Sequence, residues 1–133
     1  MKYLHSMIRV NNLKESLRFY EDLIGLKLQS KKDLEDCTLY FLAQCEGAPE
    51  IELTDNWQKP TTPYKTGETF GHFAFECEDM EAFVKKVHDM GYELMYGEPF
   101  NLDLKNEDGS ITVKRIAFIK DPDGNEIEII YKG

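Results

Sequence analysis

The feature that most constrains this chain is that it is written twice. The segment that starts at His5 and the segment that starts at His72 follow the same plan. Internal repetition of this kind fixes architecture, because each copy is one supersecondary unit that needs a neighbour to cover its apolar face. In the first copy His5-Ser-Met-Ile-Arg-Val10 has the pattern of a short strand. A helix over residues 14–24 follows, with apolar residues at 13, 17, 20, 23 and 24 in helical spacing, and Gly25 ends it. In the second copy His72-Phe-Ala-Phe-Glu-Cys77 is the strand and Asp79 the N-cap. Ala82, Phe83, Val84, Val87 and Met90 form the stripe, and Gly91 the stop.

Both copies go on in extended pattern, as Leu26-Lys-Leu28 and as Tyr92-Glu-Leu94-Met95. Each then closes with two strands. The first pair is residues 38–42 and 50–54, joined by a turn around Glu46-Gly47-Ala48-Pro49; the second is 113–119 and 126–130, joined by Asp121-Pro122-Asp123-Gly124. In the latter turn proline presets φ and glycine accepts φ > 0. Asn101 to Ser110 is polar and reads as a loop inserted in the second half. The expectation is an α+β fold of two βαβββ modules that together form a concave sheet. One domain spans 1–133, with module 1 at about 1–57, a linker at about 58–68 and module 2 at about 69–133. Neither half can bury a sheet face alone, so the halves pair within one chain or by exchange with a second chain.

The repeat also aligns chemistry. There are only three histidines, and His5 and His72 hold equivalent positions. In the closing strands Glu52 lies in Glu50-Ile-Glu-Leu and Glu128 in Glu126-Ile-Glu-Ile. The interval from histidine to glutamate is longer in the second copy, and the segment at 101–110 accounts for the difference. Taken singly, a strand histidine is most often a satisfied core or edge residue, and a strand glutamate usually faces solvent. Four candidates at repeat-matched places are harder to assign to chance. Strand alternation lets two imidazoles and two carboxylates share inner faces, and such a set suits nickel, cobalt, iron or zinc. Two carboxylates also neutralise a divalent cation, which makes burial of the set tolerable. His88, on the second helix, has no counterpart in the first copy and reads as a surface residue.

Composition narrows the class. Sixteen basic and 25 acidic side chains give a net charge of −9, which argues against nucleic-acid binding through a basic face. No apolar run nears the ~20 residues that span a bilayer, and the N-terminus lacks the apolar stretch of a signal peptide. A cytoplasmic protein is expected, with neither nucleic acid nor membrane as partner. Cys37, Cys45 and Cys77 are odd in number and form no C-x-x-C, so they are read as buried free thiols.

Four strings carry a resemblance over nearly the whole chain: Leu4-His5-Ser-Met-Ile-Arg9-Val, Ile51-Glu52-Leu-Thr-Asp-Asn56-Trp57, Phe70-Gly71-His72, and Ala117-Phe-Ile-Lys-Asp-Pro-Asp-Gly-Asn-Glu-Ile-Glu128. In them the chain resembles glyoxalase I, lactoylglutathione lyase, within the vicinal-oxygen-chelate superfamily (glyoxalase/bleomycin-resistance/dioxygenase type). The resemblance implies isomerisation of the methylglyoxal–glutathione hemithioacetal to S-lactoylglutathione, by proton transfer through a metal-bound enediolate. It implies His5, Glu52, His72 and Glu128 as ligands of one divalent metal, nickel or cobalt before zinc. Glu128 is the first candidate for the base and Glu52 the second. Arg9 and Asn56 are implied at the γ-glutamyl end of glutathione. Each lies four residues past a ligand, so alternation puts it on the ligand face, where arginine can grip a carboxylate with two bonds. Lys105 is implied at the glycine carboxylate. A homodimer is expected.

The chain departs from the family pattern at Asn125 and Glu126, where relatives often carry an aromatic residue after the turn. Rival readings are a fosfomycin thiol transferase, which typically uses three protein ligands, and a methylmalonyl-CoA epimerase, which tends to have Gln where Glu52 stands. A third is a metal-free drug-binding protein of the bleomycin-resistance kind, which lacks the ligand set.

Overall fold

The computed structural model describes all 133 residues and divides them into two compact units, Met1–Thr66 and Gly67–Gly133. The boundary falls inside the stretch that the sequence marks as linker. Each unit holds one four-stranded sheet and one helical segment. Unit 1 contains β1 (His5–Arg9), α1 (Leu13–Leu17), β2 (Lys27–Asp33), β3 (Cys37–Ala43) and β4 (Glu50–Asn56). Unit 2 contains β5 (His72–Cys77), α2 (Met80–Asp89), β6 (Phe100–Lys105), β7 (Ile111–Lys120) and β8 (Glu126–Tyr131). The strand orders are β1-β4-β3-β2 and β5-β8-β7-β6. In both, the first strand pairs parallel with the last and the remaining pairs are antiparallel. These are the two βαβββ modules that the repeat requires. No helix is long and apolar enough to cross a membrane.

The core follows the alternation. In unit 1 the buried apolar set comes from the helical segment (Phe19, Tyr20, Leu23) and one face of the sheet (Leu42, Ile51, Leu53). In unit 2 it is Met80 and Val87 with Ala117, Ile119, Ile127 and Ile129. Glu52 and Glu128 alternate with these core residues and so lie on the opposite sheet face. Both helices start on a side-chain cap: Asn12 accepts from the Glu15 N–H at 3.2 Å and Asp79 from the Ala82 N–H at 2.9 Å. Gly25, at φ 92°, follows the first helical segment in a left-handed conformation that suits glycine.

Three local expectations need correction. The first helix is not α-helical throughout, since Arg18–Leu23 is π-helical and the Ile24 N–H reaches Phe19 O at 3.0 Å. The wider turn buries adjacent Phe19 and Tyr20 together, their rings edge-on at 5.0 Å. Tyr92–Met95 forms no strand, though Leu94 makes an isolated bridge to Ile119 and the Met95 N–H bonds to Phe118 O at 2.8 Å.

The third correction concerns 101–110, which is no loop. Residues 100–105 form β6, and 106–110 turn the chain into β7, with the Asn106 N–H bonded to Ser110 O at 2.8 Å. Phe100, Leu102 and Leu104 alternate with polar residues, a period-two signal that the polar count obscures. The added length is a longer hairpin. Register partners Phe100 and Ile116 stand much further apart in the chain than their counterparts Lys32 and Leu39.

Candidate functional site

In unit 1 the parallel pairing of β1 with β4 sets Met7 beside Glu52, and β3 sets Phe41 on its other side. In unit 2 the same pairing sets Ala74 beside Glu128, with Phe118 across from it. The histidine two residues before that partner, His5 or His72, points at the glutamate. His5 Nε2 lies 3.8 Å from Glu52 Oε1 and His72 Nε2 lies 3.1 Å from Glu128 Oε2. The phenylalanines pack edge-on against the imidazoles, Phe41 on His5 and Phe118 on His72, each at 5.6 Å between centroids. Each unit therefore holds one His–Glu pair braced by one aromatic ring. Sequence reasoning misses Phe41 and Phe118, although both stand in the strand that leads into the closing turn of their copy.

The carboxylates differ in their further partners. Thr54 Oγ1 donates to Glu52 Oε2 at 3.2 Å in a buried bond. Ile130 holds the corresponding place two residues after Glu128 and has no donor to offer. The predicted ligands thus stand together two by two, and no group of three or more His, Cys, Asp or Glu side chains forms a cluster. As a donor set they fit a divalent transition metal: imidazole nitrogens that coordinate when neutral, and carboxylates that carry the neutralising charge.

Alternation along β1 and β4 puts Arg9 and Asn56 on the ligand face of unit 1. Arg9 is exposed, opposite Thr54 in the register. Asn56 Oδ1 is buried with no hydrogen-bond partner, an acceptor left over by the fold. Lys105 is exposed at the end of β6. The register of β6 with β7 and of β7 with β8 runs unbroken, and it turns Lys105 to the face opposite Glu128. The lysine on the Glu128 face is Lys114, opposite Leu102 and two steps of alternation from Phe118. The expected loop hides this, because side-chain parity can be counted only along a strand.

Glu126 lies on the face of Glu128 as the register partner of His72, and Glu50 repeats that relation to His5. Asn125 is buried and donates from its backbone and side chain to Asp121, at 2.8 and 2.9 Å. It closes the Asp-Pro-Asp-Gly turn. Of the cysteines only Cys37 is buried, while Cys77 is partly covered and Cys45 exposed. The expectation of three buried thiols is therefore wrong for Cys45. Burial, helped by the Asp36 carboxylate, pushes the Cys37 thiol pKa up, and burial does the same at Cys77. His88 is exposed on α2.

Two sheets of this topology, each with a matched His–Glu pair, define a class. Residues 2–129 match the Glyoxalase/Bleomycin resistance protein/Dioxygenase superfamily, and the chain belongs to it. Within it the similarities are specific. The probable lactoylglutathione lyase of Synechocystis is 41% identical, over 98% of this chain and 95% of that protein. The lactoylglutathione lyase of Haemophilus influenzae is 37% identical, over 98% and 92%. Among solved structures, the trypanothione-dependent glyoxalase I of Leishmania major superposes with a TM-score of 0.76 at 32% identity, over 99% of this chain and 87% of that one. Glyoxalase I from Zea mays superposes at 0.80 with 31% identity. This chain spans 44% of the maize protein, and the same share of the Saccharomyces cerevisiae glyoxalase I, to which it is 34% identical. The chain belongs to the glyoxalase I, or lactoylglutathione lyase, family of enzymes.

Proposed function

We propose that this chain isomerises the hemithioacetal of methylglyoxal and glutathione to S-lactoylglutathione. One divalent transition metal would be held by His5 and Glu52 of one module with His72 and Glu128 of another, of the same chain or of a partner. The observation that carries this reading is the pair of matched His–Glu–Phe arrangements in the two sheets. Relatives named lactoylglutathione lyase over nearly the full length of the chain support it.

The reaction moves a proton from the carbon that bears sulfur to its neighbour and consumes no oxidant or reductant. When bound, the ion supplies a Lewis acid for the negative charge that builds on the substrate oxygens. Glu128 accepts the proton from the first carbon and returns it to the second, and Glu52 stays in place as a ligand. Arg9 grips the α-carboxylate of the γ-glutamyl end with two bonds. Asn56 Oδ1, the acceptor without a partner, receives the α-ammonium group. Lys114 takes the role that the resemblance gave to Lys105, at the glycine carboxylate.

The deciding experiment assays the metal-stripped protein with the methylglyoxal–glutathione hemithioacetal after adding nickel, cobalt or zinc in turn. Restored turnover with at least one metal is expected. The trypanothione hemithioacetal, run in parallel, identifies the thiol. Purified protein that binds none of the three metals and turns over neither substrate refutes the reading.

A further inference from the structure

The two half-sites match in histidine, glutamate and phenylalanine, yet the residue two places after the glutamate differs. Along the ligand face, β4 reads Glu50, Glu52, Thr54, and β8 reads Glu126, Glu128, Ile130. We propose that Thr54 is the positioning residue that breaks the symmetry of the site, holding Glu52 as a fixed ligand and leaving Glu128 as the glutamate free to move. The proposal rests on the metal-dependent lyase reading and adds to it the reason why one glutamate, and not its twin, carries the proton.

Glu52 and Thr54 are 9% and 6% exposed, so their hydrogen bond is shielded from water. At 3.2 Å the bond is longer than a short charge-assisted one, but a hydroxyl held beside a carboxylate away from water still favours one orientation of that oxygen. It occupies Oε2 while Oε1 faces His5. Thr54 thus restrains one oxygen of Glu52, while the other faces His5 at 3.8 Å without a hydrogen bond and stays available to a metal. Outer hydrogen bonds that orient metal ligands act in this way generally. Glu128 has one oxygen 3.1 Å from His72, and Ile130 supplies no donor for the other. A group that must leave a metal, take a proton and deliver it elsewhere needs that freedom. A hydroxyl at position 130 would remove it.

The test compares wild type, T54V, T54S and I130T. Nickel affinity is measured by calorimetry on the metal-free proteins, and kcat and KM at saturating nickel, with circular dichroism to confirm equal folding. T54V is nearly isosteric and is expected to lose about 10–100-fold in nickel affinity, with T54S restoring most of it. I130T is expected to bind nickel at least as tightly as wild type, yet to lower kcat about tenfold with little change in KM, as a hampered general base does. Wild-type affinity in T54V overturns the proposal, as does loss in T54S equal to that in T54V, or wild-type kcat in I130T. If T54V folds poorly, T54S and I130T still decide. Wild-type protein that binds no nickel, cobalt or zinc refutes the metal reading itself, and the role of Thr54 falls with it.

Discussion

Glu128 carries two roles in the proposed reaction, and a substitution can separate them. An amide oxygen still coordinates weakly but does not accept a proton at useful pH. Glu128→Gln is therefore expected to lower turnover by ~10²–10⁴-fold while retaining part of the bound metal. His5→Gln should chiefly weaken metal binding, with activity partly restored by excess metal. Turnover and metal content measured on the same samples separate these outcomes, and near-normal turnover in metal-loaded Glu128→Gln would move the base to Glu52. The cysteines give a second prediction. Cys45 is exposed, whereas burial raises the pKa of Cys37 and Cys77 and keeps both in the unreactive thiol form near neutral pH. Iodoacetamide at pH 7 should label Cys45 first by peptide mass mapping; earlier labelling of Cys37 would contradict the burial.

The elements differ in how openly the sequence writes them. The strands that carry the ligands alternate polar with apolar residues, and period two is enough to read their existence and which residues share a face. The first helix is legible as a helix but not as a π-helical one, because its apolar spacing does not separate the two and the widened turn accompanies the joint burial of Phe19 and Tyr20. The β6–β7 hairpin reads as a loop because the polar residues of 101–110 obscure the alternation of Phe100, Leu102 and Leu104, in a strand whose every residue is exposed. Helix termination gives a stability test at this scale. Gly25 sits at φ 92°, and a methyl group added there would meet open space, so Gly25→Ala costs backbone strain alone, ~1–2 kcal/mol. Gly67→Ala, with the same open space and no positive φ, should leave the urea midpoint unchanged. Equal midpoints for the two variants would contradict the left-handed stop.

For the whole molecule, the ligand faces carry exposed apolar side chains, Met7 in unit 1 and Leu102 and Leu104 in unit 2. Modules of this kind bury such faces by pairing, and pairing between chains closes with twofold symmetry. We expect a homodimer in solution. Sedimentation equilibrium at assay concentration should return twice the mass of 15.5 kDa, and a fully active monomer would refute it.

The sequence by itself determined the repeat, the strands that carry the ligands and the two histidines and two glutamates at matched places. Each of these is a periodic or local signal: alternation in strands, a stripe and a glycine stop in helices, turn chemistry at Asp-Pro-Asp-Gly. Tertiary structure decided what depends on residues far apart in the chain. It set the register that turns Lys105 away and brings Lys114 round. It braced each imidazole with a phenylalanine, Phe41 for His5 and Phe118 for His72. It left Asn56 Oδ1 without a partner and gave Glu52 a hydroxyl that Glu128 lacks. Register and cross-strand contact follow from which strands pair and where, and the free energy that selects one pairing is spread over the whole sheet rather than held in any one segment.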